Sequence, residues 1–248
     1  MKLDVVFTPA GLVAGDVAGR TVFVVDVLRA TTTMCAALHH GARAVIPAAS
    51  ADEAIKVAQS IGTDDVLLAG ERNCLPIPGF QLGNSPREMT PATVRGKLIV
   101  MTTTNGTRAL LATSGAAAVH PAAGVNITVA GDRAREVWER DRDLLVICAG
   151  RENNFSLDDA YCAGRLVLAA LGGRRMRRGL NDAALGALDL VRRYGERWER
   201  ALSASRAGRD LTRLGLRDDL IDAARKDAYP VLAQYHDRRV TVAAGAPA

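Results

Sequence analysis

Short apolar runs alternate with stretches of helical periodicity along most of this chain. Residues 5–7 and 22–27 are continuous β-rich runs, the pattern of strands buried on both faces. After Arg29, the apolar positions Met34, Ala37 and Leu38 fall on a helical stretch that Gly41 stops. A second strand is expected at 44–47. Ser50 and Glu53 then stand at capping-box spacing ahead of Ile55, Ala58 and Ile61, which read as one helical face. Residues 65–69 predict a further strand, which runs into GERN. The following CLPIPGFQLGNSPREMTP carries four prolines and two glycines. Loops of this length that keep apolar residues are usually functional.

The second half is less regular. Residues 117–120 and 127–130 read as strand or turn, a helix is expected at 132–140, and a strand at 144–148. Ser156, with Asp159 three residues on, is expected to cap a helix through Tyr161, Leu166 and Leu168 to Gly172. From Asn181 onward the pattern reads as helices alone. Strands alternating with helices imply an α/β fold of three α/β/α layers, with a largely parallel or mixed sheet, right-handed crossovers and a helical C-terminal segment. The 248 residues suit a single catalytic unit, or two closely packed α/β lobes with a border near 115–130.

Composition narrows the class. Hydrophobic residues make up 48% and charged residues 24%, as in ordinary globular proteins. The net charge of +5 is unevenly placed: sixteen basic against seventeen acidic side chains in residues 1–172, and sixteen against ten in 173–248. The basic stretch GGRRMRRGL (172–180) could suggest nucleic acid. Later arginines alternate with acids, as in RRYGERWER, without the aromatic residues that base stacking needs, so solvated helices are the better reading. Cys35, Cys74, Cys148 and Cys162 form no CxxC pair and have no His at ligand spacing, which argues against a zinc site or a disulfide framework and suits a reducing cytoplasm. The start lacks a basic segment followed by an apolar one, so neither secretion nor membrane spanning is expected, and the final AAGAPA reads as a frayed tail. The oligomeric state is not legible, and a homo-oligomer stays open.

Three apolar runs spill directly into polar, anion-seeking residues: VFVVDVLRATTT (22–33), KLIVMTTTNGTRAL (97–110) and LLVICAGRENNFSLDDA (144–160). On one sheet, three such carboxyl ends would make a site for a small polyanion with a divalent metal. Asp26 interrupts an apolar strand, where an ionised carboxylate calls for a metal or for a salt bridge to Arg29. Thr31, Thr32 and Thr33 follow at a helix N-terminus, as phosphate ligands or with one as a cap. Glu71 and Arg72 pair a metal-seeking carboxylate with an oxyanion clamp. Asn84 and Ser85 offer neutral hydrogen bonds or an ordinary turn. Thr103, Thr104, Asn105, Gly106, Thr107 and Arg108 form a hydroxyl-rich turn that opens a helix. Arg151, Glu152, Asp158 and Asp159 complete the anion and metal candidates, although the two aspartates could simply favour a helix N-terminus. Cys148 has Asn154, not Arg, six positions on, which excludes a tyrosine-phosphatase signature. Asp26 lacks the second Asp, two residues on, of haloacid dehalogenase phosphatases. No P-loop, GxGxxG or HExxH occurs.

DVLRATTT, the GER of GERN, LGNSP, TTTNGTRAL and CAGRENNFSLDDAYCAG, in this order, resemble the 2-phosphosulfolactate phosphatase (ComB) family. The resemblance covers about residues 24–164 and, more loosely, LNDAALGAL and LGLRDDL. It implies an α/β hydrolase that uses Mg2+ to remove phosphate from 2-phospho-3-sulfolactate, a small phosphorylated and sulfonated acid, on a route to coenzyme M. Asp26 with Glu71, Glu152 or Asp159 would hold Mg2+. Arg29, Arg72, Arg108 and Arg151, with the Thr and Asn groups, would bind the phosphate, sulfonate and carboxylate. Attack by metal-activated water and by Asp26 as a covalent nucleophile both remain open. At 70–74 the chain reads GERNC where the family pattern is GERGG, and near Ser205 it reads SRAG where a His-Gly pair is usual. These departures bear on the pocket more than on the chemistry, and leave room for another small phosphorylated hydroxy acid as substrate. The rival class is a non-catalytic anion-binding protein.

Overall fold

The computed structural model describes residues 1–62, 65–174 and 178–243. Part of the basic stretch, 175–177, and residues 244–248 of the expected frayed tail lie outside the described residues. In chain order the elements are β1 (Leu3–Val6), α1 (Ala14–Val17), β2 (Thr21–Val25), α2 (Ala30–His39), β3 (Ala44–Pro47), α3 (Ala51–Ile61), β4 (Val66–Arg72), β5 (Leu75–Pro76), α4 (Pro91–Val94), β6 (Leu98–Thr102), α5 (Gly106–Leu111) and β7 (Ala118–Ala122). There follow α6 (Ile127–Glu139), β8 (Leu144–Cys148), α7 (Leu157–Ala170), α8 (Asp182–Tyr194), α9 (Trp198–Ala204), α10 (Arg206–Arg213), α11 (Arg217–Ala223), β9 (Ala233–His236) and β10 (Arg239–Val242). The α/β class, the parallel and mixed sheets and the helical segment after β8 agree with the sequence pattern.

The strands divide between two sheets rather than the one expected. The order β1-β8-β2-β7 is wholly parallel, whereas β5-β4-β6-β3-β10-β9 has a parallel centre of β4, β6 and β3 flanked by antiparallel edges. Helices α6, α7 and α8 cover one face of the first sheet, with Phe23, Val25, Val146, Tyr161 and Leu166 in the shared core. Its other face, through Val22, Val24, Leu145 and Ile147, packs with Met34 of α2, Leu110 of α5, and Ile99 and Met101 of the second sheet. Helix α3 covers the far face of the second sheet through Ala54, Val57, Ala58 and Ile61. Because α2 lies between two sheets, it is buried from Ala30 to Leu38 on all sides and shows little amphipathic signal.

Several expectations are corrected. Ile55 is 38% exposed, and the core face of α3 runs through 54, 57, 58 and 61, the i, i+3, i+4, i+7 set. Only half of the capping box forms: Ser50 Oγ accepts from Glu53 N at 3.1 Å, while Glu53 Oε2 accepts from Ala49 N at 2.8 Å instead of from Ser50. Residues 127–130 are the first turn of α6, not a strand. Ser156 sits at the N-cap position of α7 without capping it, since its hydroxyl donates to Asp158 Oδ1 at 2.5 Å. Helices do not run to the end, because β9 and β10 form a hairpin whose turn, Asp237 and Arg238, has φ of 47° and 60°. That two-residue turn normally carries Gly, and without one the hairpin signal is weak.

Helix α7 crosses α8 at Gly164, where an added Cβ would lie 2.2 Å from the Ala187 carbonyl oxygen. A backbone carbonyl cannot rotate away as a side chain can. Gly164→Ala is therefore expected to cost about 3 kcal/mol through forced separation of the helices, read as a lowered denaturation midpoint in urea; an unchanged midpoint would show that the crossing is loose.

Candidate active site

The carboxyl ends of strands from both sheets converge on one cavity of about 50 Å³. The β2 end supplies Asp26, Leu28 and Arg29; the β4 end, Glu71, Asn73 and Cys74; the segment after β6, Thr104 and Asn105; and the segment from β8 to α7, Gly150, Arg151, Glu152, Ser156, Asp158 and Asp159. Asn84 comes from the long loop and Ala207 from α10. Of the residues picked from the sequence, the structure thus gathers Asp26, Arg29, Glu71, Asn84, Thr104, Asn105, Arg151, Glu152, Asp158 and Asp159 around one space.

The others lie elsewhere. Arg72 donates to the Glu71 carbonyl at 2.7 Å and to Thr102 Oγ1 at 3.1 Å, and Arg108 is exposed on α5. Each threonine hydroxyl at the start of α2 donates to a backbone carbonyl: Thr31 to Asp26 and Ala122, Thr32 to Val27, Thr33 to Asn84. Three buried hydroxyls inside a helix between two sheets must find acceptors there. Thr103 and Thr107 cap α5 reciprocally, the N–H of each donating to the hydroxyl of the other at 3.3 and 3.2 Å. Gly106, the first residue of α5, packs on the Asp26 carboxylate, and a Cβ there would lie 2.6 Å from Asp26 Oδ2. Ser85 donates to Asp219 Oδ1 at 2.6 Å.

Asp26 sits at the N-terminus of α2, where Ala30 N donates to Oδ1 at 3.3 Å. Two further carboxylates tie the converging loops together. Glu71 accepts from Thr104 N and Cys74 N, both at 2.8 Å, and Asp159 accepts from Val27 N at 2.9 Å and Gly150 N at 3.0 Å. The salt bridge between Asp26 and Arg29 does not form. Arg29 donates instead to Asp219 Oδ2 of α11 at 2.5 Å and to the Cys74 carbonyl at 2.7 Å, and Arg151 pairs with Asp210 of α10 at 2.6 Å. The helical C-terminal segment therefore supplies a counter-ion to each cavity arginine. Sequence reading missed Asp210 and Asp219 as partners; for Asp219 the LGLRDDL stretch was the available signal, and Asp210 had none.

Charge is unbalanced here. Burial, and next the charges of Asp158 and Glu71, push the Asp26 carboxyl up to about 7, against the pull of the Ala30 N–H and Arg29. Asp159 is raised well above the usual range by burial and then by Asp158 and Asp26. Asp158 is raised by burial, with the hydroxyls of Ser156 and Ser205 and the charge of Arg151 pulling back. Folding these groups favours their protonated forms, so the folded protein binds more protons than the unfolded chain between the ordinary carboxylate range and about 7. Stability then falls as pH rises through that window. In a chelating buffer, Tm is expected to be several degrees lower near pH 8 than near pH 5.5, measured by thermal unfolding; a flat profile would show that the three carboxyls ionise normally.

Such a cluster suits a hard cation. Its donors are oxygens, and the buried Asn84 Oδ1 has no hydrogen-bond partner. Among the described residues, no three His, Cys, Asp or Glu side chains are gathered so as to hold a metal unaided. Mg2+ typically takes one or two carboxylates and completes its shell with water and substrate oxygens, so the donor set fits it. All four cysteines are free, and Cys148 is buried with its thiol pushed well above the usual range by burial, which leaves it inert as a nucleophile. No helix among the described residues is long and apolar enough to cross a membrane.

Comparison with known proteins agrees with the cavity. The sequence profile described as 2-phosphosulpholactate phosphatase matches residues 6–238. A probable 2-phosphosulfolactate phosphatase of Symbiobacterium thermophilum is 41% identical over 229 residues, 92% of this chain and 97% of that protein. Another, from Deinococcus radiodurans, is 42% identical over 205 residues, 82% of each chain. A third, from Clostridium novyi, is 32% identical over 245 residues, covering 97% of this chain and 100% of its own. With the match running nearly from end to end, and with arginines and buried carboxylates meeting at the strand ends, the chain belongs to the 2-phosphosulpholactate phosphatase family of phosphoric monoester hydrolases.

Proposed function

We propose that the cavity hydrolyses 2-phospho-3-sulfolactate to 3-sulfolactate and phosphate with Mg2+, and that the whole chain works as one catalytic unit. The observation that carries this reading is the set of four buried carboxyls, Asp26, Glu71, Asp158 and Asp159, beside Arg29 and Arg151 at the converging strand ends. Their mutual repulsion calls for a cation, and Arg151 Nε, buried without a hydrogen-bond partner although Asp210 pairs with the same guanidinium, has a donor left for an anion. Asp26, Glu71 and Asp159, with the exposed Glu152 at the margin, would hold Mg2+, and Asn84 Oδ1 offers a neutral oxygen. Mg2+, when bound, supplies charge neutralisation and Lewis acidity at the phosphoryl group.

The rest of the work falls to the chain. Arg29 and Arg151 neutralise substrate oxyanions, and because Asp219 and Asp210 hold them in place, little reorganisation accompanies binding. Thr104 Oγ1, buried and without a partner, offers a further hydrogen bond, and Asn105 stands beside it on the cavity wall. Asp26, at the end of β2, serves the attack on phosphorus, either by orienting a water or as the nucleophile itself.

Phosphate release from 2-phosphosulfolactate, phospholactate and phosphoglycerate, with Mg2+ and with a chelator, tests the reading. Metal-dependent release that prefers the sulfonate is the expected result. A preference for another of the three keeps the chemistry and discards the substrate. No release from any of them moves the cavity to anion binding alone. A second readout needs no turnover: Mg2+ should raise Tm near pH 8, where the carboxyls repel most.

A further inference from the structure

Two residues at the cavity edge, Asn73 (φ 53°) and Cys74 (φ 68°), form the two-residue turn that joins β4 to β5. Both positions of such a turn require the left-handed backbone region, and the second is ordinarily Gly. Asn tolerates that region, whereas Cys gains nothing from it. Cys74 is nevertheless pinned on both sides of its Cα, its N–H donating to Glu71 Oε2 at 2.8 Å and its carbonyl accepting from Arg29 Nη2 at 2.7 Å. Both partners line the cavity, and so does Cys74. The other three thiols are buried in the core.

The space that Cys74 bounds is built for a ligand. Asn84 is 4% exposed and its Oδ1 has no hydrogen-bond partner, yet it lines this cavity, which leaves an acceptor open to whatever binds. In a wall otherwise made of charged, amide and hydroxyl side chains and Gly150, Cys74 stands with Leu28 and Ala207 as a nonpolar boundary. We propose that Cys74 is a specificity-determining residue: its side chain limits the room left for the arm of the substrate that does not carry the phosphate, and so sets the largest phosphorylated 2-hydroxy acid the cavity admits. This rests on the phosphatase reading. The left-handed turn fixes where the thiol stands, and the cavity is small enough for its two side-chain heavy atoms to matter.

The test compares kcat/KM for 2-phosphosulfolactate with that for its homologue one methylene longer in the sulfonate arm, in the wild type, Cys74→Gly and Cys74→Ser. Cys74→Gly should raise the ratio of longer to shorter substrate by at least about tenfold, the scale on which one methylene is discriminated. It should also raise Tm by a degree or two, since Gly suits the turn. Cys74→Ser keeps the side-chain length and should retain the wild-type ratio. A purely structural cysteine would change both substrates alike, so an unchanged ratio in Cys74→Gly overturns the proposal. If the wild type releases phosphate from neither substrate, the phosphatase reading fails, and alkylation by iodoacetamide decides the role of Cys74. Inorganic phosphate slowing its labelling at least about fivefold would keep Cys74 as a wall of an anion cavity; labelling unaffected by phosphate would remove it.

Discussion

Asp26→Asn is expected to lower phosphate release by at least ~10⁴-fold while leaving the protein folded and, without metal, more stable. Hydrolysis of phosphate monoesters is among the slowest uncatalysed reactions, with accelerations that approach ~10²¹-fold, so the group that serves the attack carries a large share of the barrier. Asn keeps the size and can still accept from Ala30 N, so the N-terminus of α2 stays closed. What it removes is a charge that burial, Asp158 and Glu71 all oppose. Single-turnover phosphate release gives the first effect and thermal unfolding in chelator near pH 8 the second. Retained turnover would remove Asp26 from the centre of the chemistry. Lost turnover with a lowered Tm would make it a structural residue.

Asp219→Ala should destabilise the protein by about 3–5 kcal/mol, because it leaves the Arg29 guanidinium charged, buried and without its counter-ion. The two side chains are 4% and 3% exposed, and the same carboxylate also accepts from Ser85. For a chain of this size the loss corresponds to a Tm lowered by roughly 10 °C. Asp219→Ala combined with Arg29→Met should recover part of that stability, since an apolar side chain avoids the uncompensated charge, without restoring turnover. A double variant that regains activity would show that Arg29 does not bind the phosphate. A single variant with unchanged Tm would show that water reaches the pair.

Much of this site was legible before any fold was known, for a simple reason. Strand ends announce themselves where an apolar run meets polar residues, and Asp26, Glu71, Thr104, Asn105, Arg151 and Asp159 all occupy such positions. The same rule also picks out Thr31, Thr32, Thr103 and Thr107, which do not line the cavity. A hydroxyl at a helix start looks the same in sequence whether it meets a phosphate or a backbone carbonyl, and here the carbonyls and the reciprocal α5 cap take it. Arg72 and Arg108 stand next to the cavity without lining it, Arg72 bonded to Thr102 Oγ1 and Arg108 exposed on α5, because on a strand or helix one residue of phase decides which way a side chain faces.

The alternation of strands and helices, the apolar runs of β2, β6 and β8 buried on both faces, the family, and the presence of carboxylates and arginines at the strand ends are all written in residues close together in the chain. Tertiary structure alone decided that the strands form two sheets with α2 and α5 between them, that Arg29 pairs with Asp219 of α11 instead of Asp26, and that Arg151 pairs with Asp210. Positions 190 residues apart carry no mutual signal in a single sequence. Which carboxylate neutralises which guanidinium is set by packing of the C-terminal helices over the cavity, where burial raises the penalty for any charge left alone.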